Sequence, residues 1–167
     1  MASSSHFALM NRFVAKEELS VLGAYYASQG KKLVLTNGCF DLLHTGHVRY
    51  LQQARNLGDA LLVAVNNDAS VRELKGSPRP LNTELDRAEV LAALRSVEHV
   101  VIFEGKRVTE VIRSVRPAIY VKGGDYTLET LDSGEREALE SVGAEIRLVS
   151  LVPGKSTTNL LARAEAE

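Results

Sequence analysis

A single cysteine, Cys39, stands among 167 residues, so no internal disulfide can form and the fold must rest on its core. Such sparing use of cysteine suits a reducing compartment, and the cytoplasm is the expectation. No apolar run approaches the about 18 residues of a membrane span. The opening MASSSHFALMNRF lacks the basic leader and long apolar core of a secretory signal, and residues 1–12 are expected to form a loose tail. Excess charge is missing as well: 20 basic and 21 acidic side chains leave a formal net charge of −1. That balance removes any overall electrostatic case for nucleic acid or a membrane surface. An anion site, if there is one, must be local. With 45% apolar and 25% charged residues, residues 13–167 fit one globular domain with a covered sheet.

Short β-rich runs alternate with helical patterns, which predicts a parallel sheet. The strands are expected at KLVLT (32–36), ALLVAV (60–65), HVVIF (99–103), AIYV (118–121) and EIRLV (145–149). Helices are expected at about 15–28, 46–57, 84–95, 107–115, 134–142 and 156–164, several of them closed by Gly or Pro. One long connection remains, NNDASVRELKGSPRPLNTE (66–84). Its cations and prolines suggest a mobile, functional segment.

Open parallel sheets bind ligands at the carboxyl ends of their strands. Four of the five strand exits carry glycine or short polar groups there: NGCFDLLHTGH (37–47), NND (66–68), KGGDY (122–126) and PGKSTTN (153–159). In the first of these, His44 and His47 lie three apart around Gly46 at a helix start. Three-residue spacing lets both rings face one side, and glycine permits close backbone approach. A zinc pair lacks a third His or Cys at helpful spacing. Two readings stay open, a packed and capped turn or imidazole and backbone N–H donors to phosphate oxygens. The first exit has no G-x-G-x-x-G. GKST at 154–157 is not a Walker motif either, since Val149 stands where glycine is needed. Ser156, Thr157 and Thr158 then read as helix capping or as a second phosphate cradle.

Together HTGH and STTN resemble the signature of the His-x-Gly-His nucleotidyltransferases, the cytidylyltransferase-like family. The longer strings LGDALLVAVNNDASV, LKGSPRPLN, VLAAL, VKGGDY and STTNLL resemble its branch that adenylylates D-glycero-β-D-manno-heptose 1-phosphate for lipopolysaccharide inner-core biosynthesis. The likeness runs from about 32 to 162. Related cytidylyltransferases carry an arginine where Leu151 stands, which weakens a CTP reading. The rivals are a CTP-dependent cytidylyltransferase for glycerol 3-phosphate or a similar small phosphate and a non-catalytic nucleotide-binding module.

The resemblance implies a Rossmann-like, doubly wound sheet of five parallel strands in the order 3-2-1-4-5. It implies His44, His47, Lys75 and Arg87 as catalytic donors and cations around the triphosphate. Nucleotide contacts would come from Asn37, Gly38, Cys39, Phe40 and Gly46 in the first turn, Cys39 lining it as a small apolar residue rather than a reactive thiol. Lys122, Gly124 and Asp125 would add to them from the fourth exit, and Ser156, Thr157 and Thr158 from the last. Asp41, Asn66 and Arg79 would face the substrate, Asp41 either orienting a hydroxyl or steadying the turn. Mg²⁺ is expected to ride on ATP rather than on a protein carboxylate pair such as Asp68 and Asp125. Relatives imply a homodimer, and a chain too short to include the sugar kinase often fused to this enzyme implies a separate heptose kinase.

Overall fold

A computed structural model of the chain describes residues 12–124, 126–150 and 153–164. The expected tail up to residue 11, Asp125 and Leu151 lie outside the described residues. Five strands form one parallel sheet: β1 (Leu33–Gly38), β2 (Ala60–Asn66), β3 (His99–Phe103), β4 (Ile119–Gly123) and β5 (Glu145–Val149), in the order β3-β2-β1-β4-β5. The architecture is the expected one.

Strands buried on both faces need no polar alternation, which is why β2 reads ALLVAVN and is buried at every position. Helix α1 (Leu19–Ser28) follows a 3₁₀ turn at Lys16–Glu18. After β1 comes α2 (Thr45–Arg55), after β2 both α3 (Asp68–Lys75) and α4 (Glu84–Ala92), then α5 (Thr109–Val115), α6 (Ser133–Val142) and α7 (Thr157–Ala164). One core gathers Leu19 and Leu22 of α1, Ile112 of α5 and Leu139 of α6 on the sheet face that carries Leu35, Leu62 and Tyr120. The other gathers Tyr50, Leu51 and Ala54 of α2 with Ala88 and Leu91 of α4 on the face of Val34, Val63 and Val121. The sheet is therefore covered on both sides, and the two faces meet different helices at their carboxyl ends.

Two expectations change. The 66–84 connection is not structureless, because α3 occupies its first half. Asn67 caps it by accepting from the Ser70 N–H at 2.9 Å, and Val71 is buried. Residue 12 is no loose tail end. Its guanidinium donates to the Ala92 and Val97 carbonyls at 2.6 and 3.0 Å, satisfying oxygens at and just beyond the end of α4, and its own carbonyl accepts from Val100 N–H at 2.7 Å. With Phe13 bridging Val100 in parallel, this segment shields the β3 edge.

The α1–α5 crossing depends on one missing side chain. A Cβ on Gly23 would stand 1.8 Å from the Val115 carbonyl oxygen at the end of α5. Helix propensity alone says Gly23→Ala should stabilise by about 1 kcal/mol. Overpacking against backbone should instead make it destabilising by about 1–3 kcal/mol. Urea unfolding reads the sign directly, and a raised midpoint would contradict this crossing.

Candidate active site at the carboxyl edge

The turn leaving β1 is built around two rings. Phe40 sits at φ 47°, a left-handed conformation that a bulky side chain adopts only when its surroundings compensate the strain. The compensation is visible: Phe40 is buried, its ring meets His47 edge-on at 5.5 Å, and Gly38 leaves it room, since a Cβ there would lie 2.9 Å from the ring. The chain then enters α2 with His44 as the N-cap.

Both histidines fold back onto that helix start. The Gly46 N–H donates to His44 Nδ1 at 3.1 Å and the His44 N–H to His47 Nδ1 at 3.4 Å. A nitrogen that accepts from an amide carries no proton, so each neutral ring bears its hydrogen on Nε2. The rings lie 4.0 Å apart, centroid to centroid, tilted by 32°. Burial and then the neighbouring His44 push His47 down to about 4, and burial and then Lys155 lower His44. At neutral pH the pair is two uncharged donors. Capping and donation, set against each other from sequence, are thus compatible: Nδ1 caps while Nε2 is left to donate.

Gly46 differs from expectation. The space above it is filled by the protein, for a Cβ would lie 2.8 Å from His44 Nδ1 and 3.1 Å from Lys155 Cβ. Nor are the N–H groups of Gly46, His47 and Val48 open to a ligand here, since Gly46 donates to His44 Nδ1, and His47 and Val48 donate to the His44 carbonyl. The same packing brings the last motif to the first: the Thr157 hydroxyl donates to the Leu42 carbonyl at 3.1 Å. Ser156 caps α7, its Oγ accepting from Asn159 N–H at 3.0 Å, and Thr158 is exposed. HTGH and STTN share one edge.

The expected cations divide. Lys75, exposed at the end of α3, reaches the first turn as a charge that works against burial at Cys39, whose half-buried thiol burial nevertheless raises. Arg87 is 2% exposed and committed to the protein. It donates to the Cys39 carbonyl at 2.6 Å, to the Asn82 carbonyl at 3.1 Å and to the Asp68 carboxylate at 2.7 Å. It ties the first turn, α3 and α4 together instead of facing solvent as a free phosphate cation. Arg79 likewise pairs with Asp41 at 2.6 Å. Asp41 also accepts from the N–H groups of Leu81 and Asn82 at 2.9 and 3.0 Å. Burial alone would raise its carboxyl, but those bonds and Arg79 hold it below its ordinary value. These bonds make Asp41 a brace of the first turn. Asn66 is buried, donating to Ser70 Oγ and the Gly105 carbonyl, and so braces the β2 and β3 exits rather than opening to substrate. A cleft of about 110 Å³ between Phe40, Leu43, Asn82, Arg87 and Val90 adjoins the turn without including the histidines.

At the fourth exit Asn37 accepts from the Tyr120 hydroxyl at 2.7 Å, and Gly124, at φ 119°, donates to the Val149 carbonyl. Lys122 faces Glu135 at 3.9 Å. Glu135 had no signal in a helical stretch of mixed charge. Lys155 also stands at this edge, and its signal is its place directly before Ser156. Among the described residues no group of three or more His, Cys, Asp or Glu side chains is arranged to hold a metal ion, and Asp68 is spent on Arg87. None of the described helices is long and apolar enough to cross a membrane.

The chain is 53% identical over 148 residues to the "Bifunctional protein HldE" of Pelobacter propionicus, covering 89% of this chain and 30% of that protein. It is 49% identical over 148 residues to the protein of the same name from Geobacter sulfurreducens, covering 87% and 30%. The chain thus spans under a third of the length of these relatives. A crystal structure of a "lipopolysaccharide core biosynthesis protein" from Thermoplasma volcanium superposes with a TM-score of 0.61 at 27% identity, covering 74% of this chain and 98% of that one. Residues 35–162, from β1 through nearly all of α7, match the cytidylyltransferase-like family, and the chain belongs to that family of nucleotidyltransferases.

Proposed function

We propose that the chain joins ATP to D-glycero-β-D-manno-heptose 1-phosphate, giving ADP-heptose and pyrophosphate, a step of lipopolysaccharide inner-core biosynthesis. The observation that carries the chemistry is the pair of neutral imidazoles whose Nδ1 atoms are tied back, leaving two Nε2–H donors beside the STTN turn. The substrate reading rests on the named relatives and on the core-biosynthesis title of the structural neighbour.

A sugar phosphate is already an oxyanion, so no protein nucleophile is needed. One of its oxygens forms a bond to the α-phosphorus of ATP while the bond from that phosphorus to the bridging β-oxygen breaks, and pyrophosphate leaves with the electron pair. The barrier lies in bringing two anions together and in stabilising charge on the α-phosphate and the departing group. In this reading His44 and His47 donate from Nε2 to those oxygens, with Lys75 and Lys155 as the flanking charges. Ser156 and Thr158 contribute hydroxyls. Arg87, Arg79 and Asp41 act by fixing the turn and the α3–α4 connection. Mg²⁺ enters on the triphosphate and neutralises part of its charge. Homodimeric assembly belongs to the same proposal.

ATP with the heptose 1-phosphate and Mg²⁺ should release pyrophosphate and yield ADP-heptose by mass spectrometry, with CTP a poor replacement. Faster turnover of CTP with glycerol 3-phosphate would keep the family and sink the substrate assignment. His44→Ala and His47→Ala should each lower turnover by about 10²-fold, the scale for loss of a preorganised donor. Because the two act on one charge, the double variant should lose less than the product of the single losses. Near-normal turnover in folded single variants would reduce the pair to a helix cap.

The protonation state gives an independent check. His47, at about 4 in the folded chain against about 6.5 unfolded, binds its proton less readily when folded. Its contribution to stability is therefore complete above about 6.5 and is lost as pH falls from there towards 4. An NMR titration of the ring protons should place its midpoint near 4. A midpoint above 7 would mean that the ring is mainly a cation at neutral pH and would overturn the neutral-donor reading.

A further inference from the structure

The fourth strand exit carries a charge pair that the histidine chemistry does not use. Glu135, in the first turn of α6, has a side chain only 2% exposed. Burying a carboxylate is costly unless it is bonded and balanced. One oxygen accepts from the Val108 N–H at the start of α5, at 3.2 Å. The other faces the Lys122 ammonium at 3.9 Å. That distance balances charge without spending an ammonium hydrogen, and Lys122 has three to give. Its side chain is itself 16% exposed and lies over the Tyr126 ring at 5.1 Å, so carboxylate and ring hold it from two sides.

Strand alternation shows where this cation lies. Thr36 and Val121 belong to the sheet face on which Tyr50 of α2 packs, Thr36 bonding both the Tyr50 hydroxyl and the Val121 carbonyl. Asn37 and Tyr120 are joined on the opposite face, and Lys122, two residues beyond Tyr120, shares it. The histidines open α2 and therefore stand on the first face. Lys122 and His47 thus approach the strand ends from opposite sides of the sheet.

We propose that Lys122, set by Glu135, binds the phosphate of the acceptor rather than the triphosphate, so that the two reacting anions are held by separate cationic and donor groups astride β1 and β4. Lys122 touches substrate; Glu135 is a positioning residue acting through it. The assignment rests on the transfer reaction proposed above, but it concerns whichever phosphorylated alcohol is the acceptor.

Calorimetric binding of heptose 1-phosphate and, separately, of a non-hydrolysable ATP analogue tests it without turnover. Lys122→Met should weaken the sugar phosphate about 10-fold or more while changing the analogue less than about 2-fold, and Lys122→Arg should recover part of the loss. Glu135→Gln keeps an acceptor for Val108 and removes the charge. It should weaken the sugar phosphate about 3-fold in the parent and not at all in the Lys122→Met background. Equal weakening of both ligands, no weakening of either, or a Glu135→Gln effect of the same size in both backgrounds overturns the proposal. Should Glu135→Gln fail to fold, the two Lys122 variants decide alone. Wild-type protein that binds both ligands selectively yet releases no pyrophosphate would sink the proposed function and leave this subsite standing.

Discussion

The imidazole Nδ1 atoms bonded to the opening N–H groups of α2 are the interaction from which the rest of the edge follows. Because His44 and His47 accept there, their protons are confined to Nε2, and their burial favours the uncharged ring. Because the rings fold back, Gly46 must lack a side chain and Phe40 must turn through a left-handed conformation to support His47 from below. A protonated pair at 4.0 Å would repel itself and would also forfeit both caps. Neutral donors avoid both penalties, and they leave net positive charge to side chains that are free to move.

That division of labour extends to the cations around the turn. Arg79 is paired through Nε with the Asp41 carboxylate, and Arg87 is bonded to the Asp68 carboxylate and to two carbonyls; the side chains of both are largely buried. Their partners, Asp41 and Asp68, lie at the ends of the segments that they join, so each pair fixes a connection rather than a ligand. The lysines follow another pattern: Lys75 and Lys155 are exposed and Lys122 is held only by charge and a ring face. A compact ammonium on a flexible stem can meet a phosphate as it arrives, whereas a guanidinium already bonded on three sides cannot do so without breaking the scaffold. The arginines are thus committed to the scaffold, and the lysines keep their charge available at the edge.

Much of this was legible in the chain itself. Apolar runs such as ALLVAV name a doubly covered strand because nothing polar interrupts them, and all five runs became strands within two residues of expectation. The collection of glycine and short polar residues at strand exits located the edge, because only there does backbone lie open. What stayed hidden depends on pairing across the chain. Arg79 and Arg87 read as free cations because their partners are 38 and 19 residues away. Helix α3 is hidden because eight residues offer a weak period, Val71 being one of only two buried positions, and prolines follow closely beyond it. Glu135 was invisible for a similar reason: within SGEREALESV it looks like any solvated helical charge, and only the fold turns it toward Lys122.

The alternation of the strands then explains why such an edge suits the joining of two anions. In a parallel sheet successive residues at a strand end point to opposite faces, so one short exit can hold a group on each side of the sheet a few ångströms apart. Here Thr36 is bonded to Tyr50 of α2 on one face, while Asn37 is bonded to Tyr120 on the other. The helices that cover the two faces begin at different strands, α2 after β1, and α5 and α6 after β3 and β4. In the proposed transfer, donors brought by α2 and the charge balanced by α6 would therefore serve opposite faces of β1 and β4 without sharing a helix. The switch in strand order between β1 and β4 opens the crevice between them, and the pleat of the strands supplies its two chemically distinct walls.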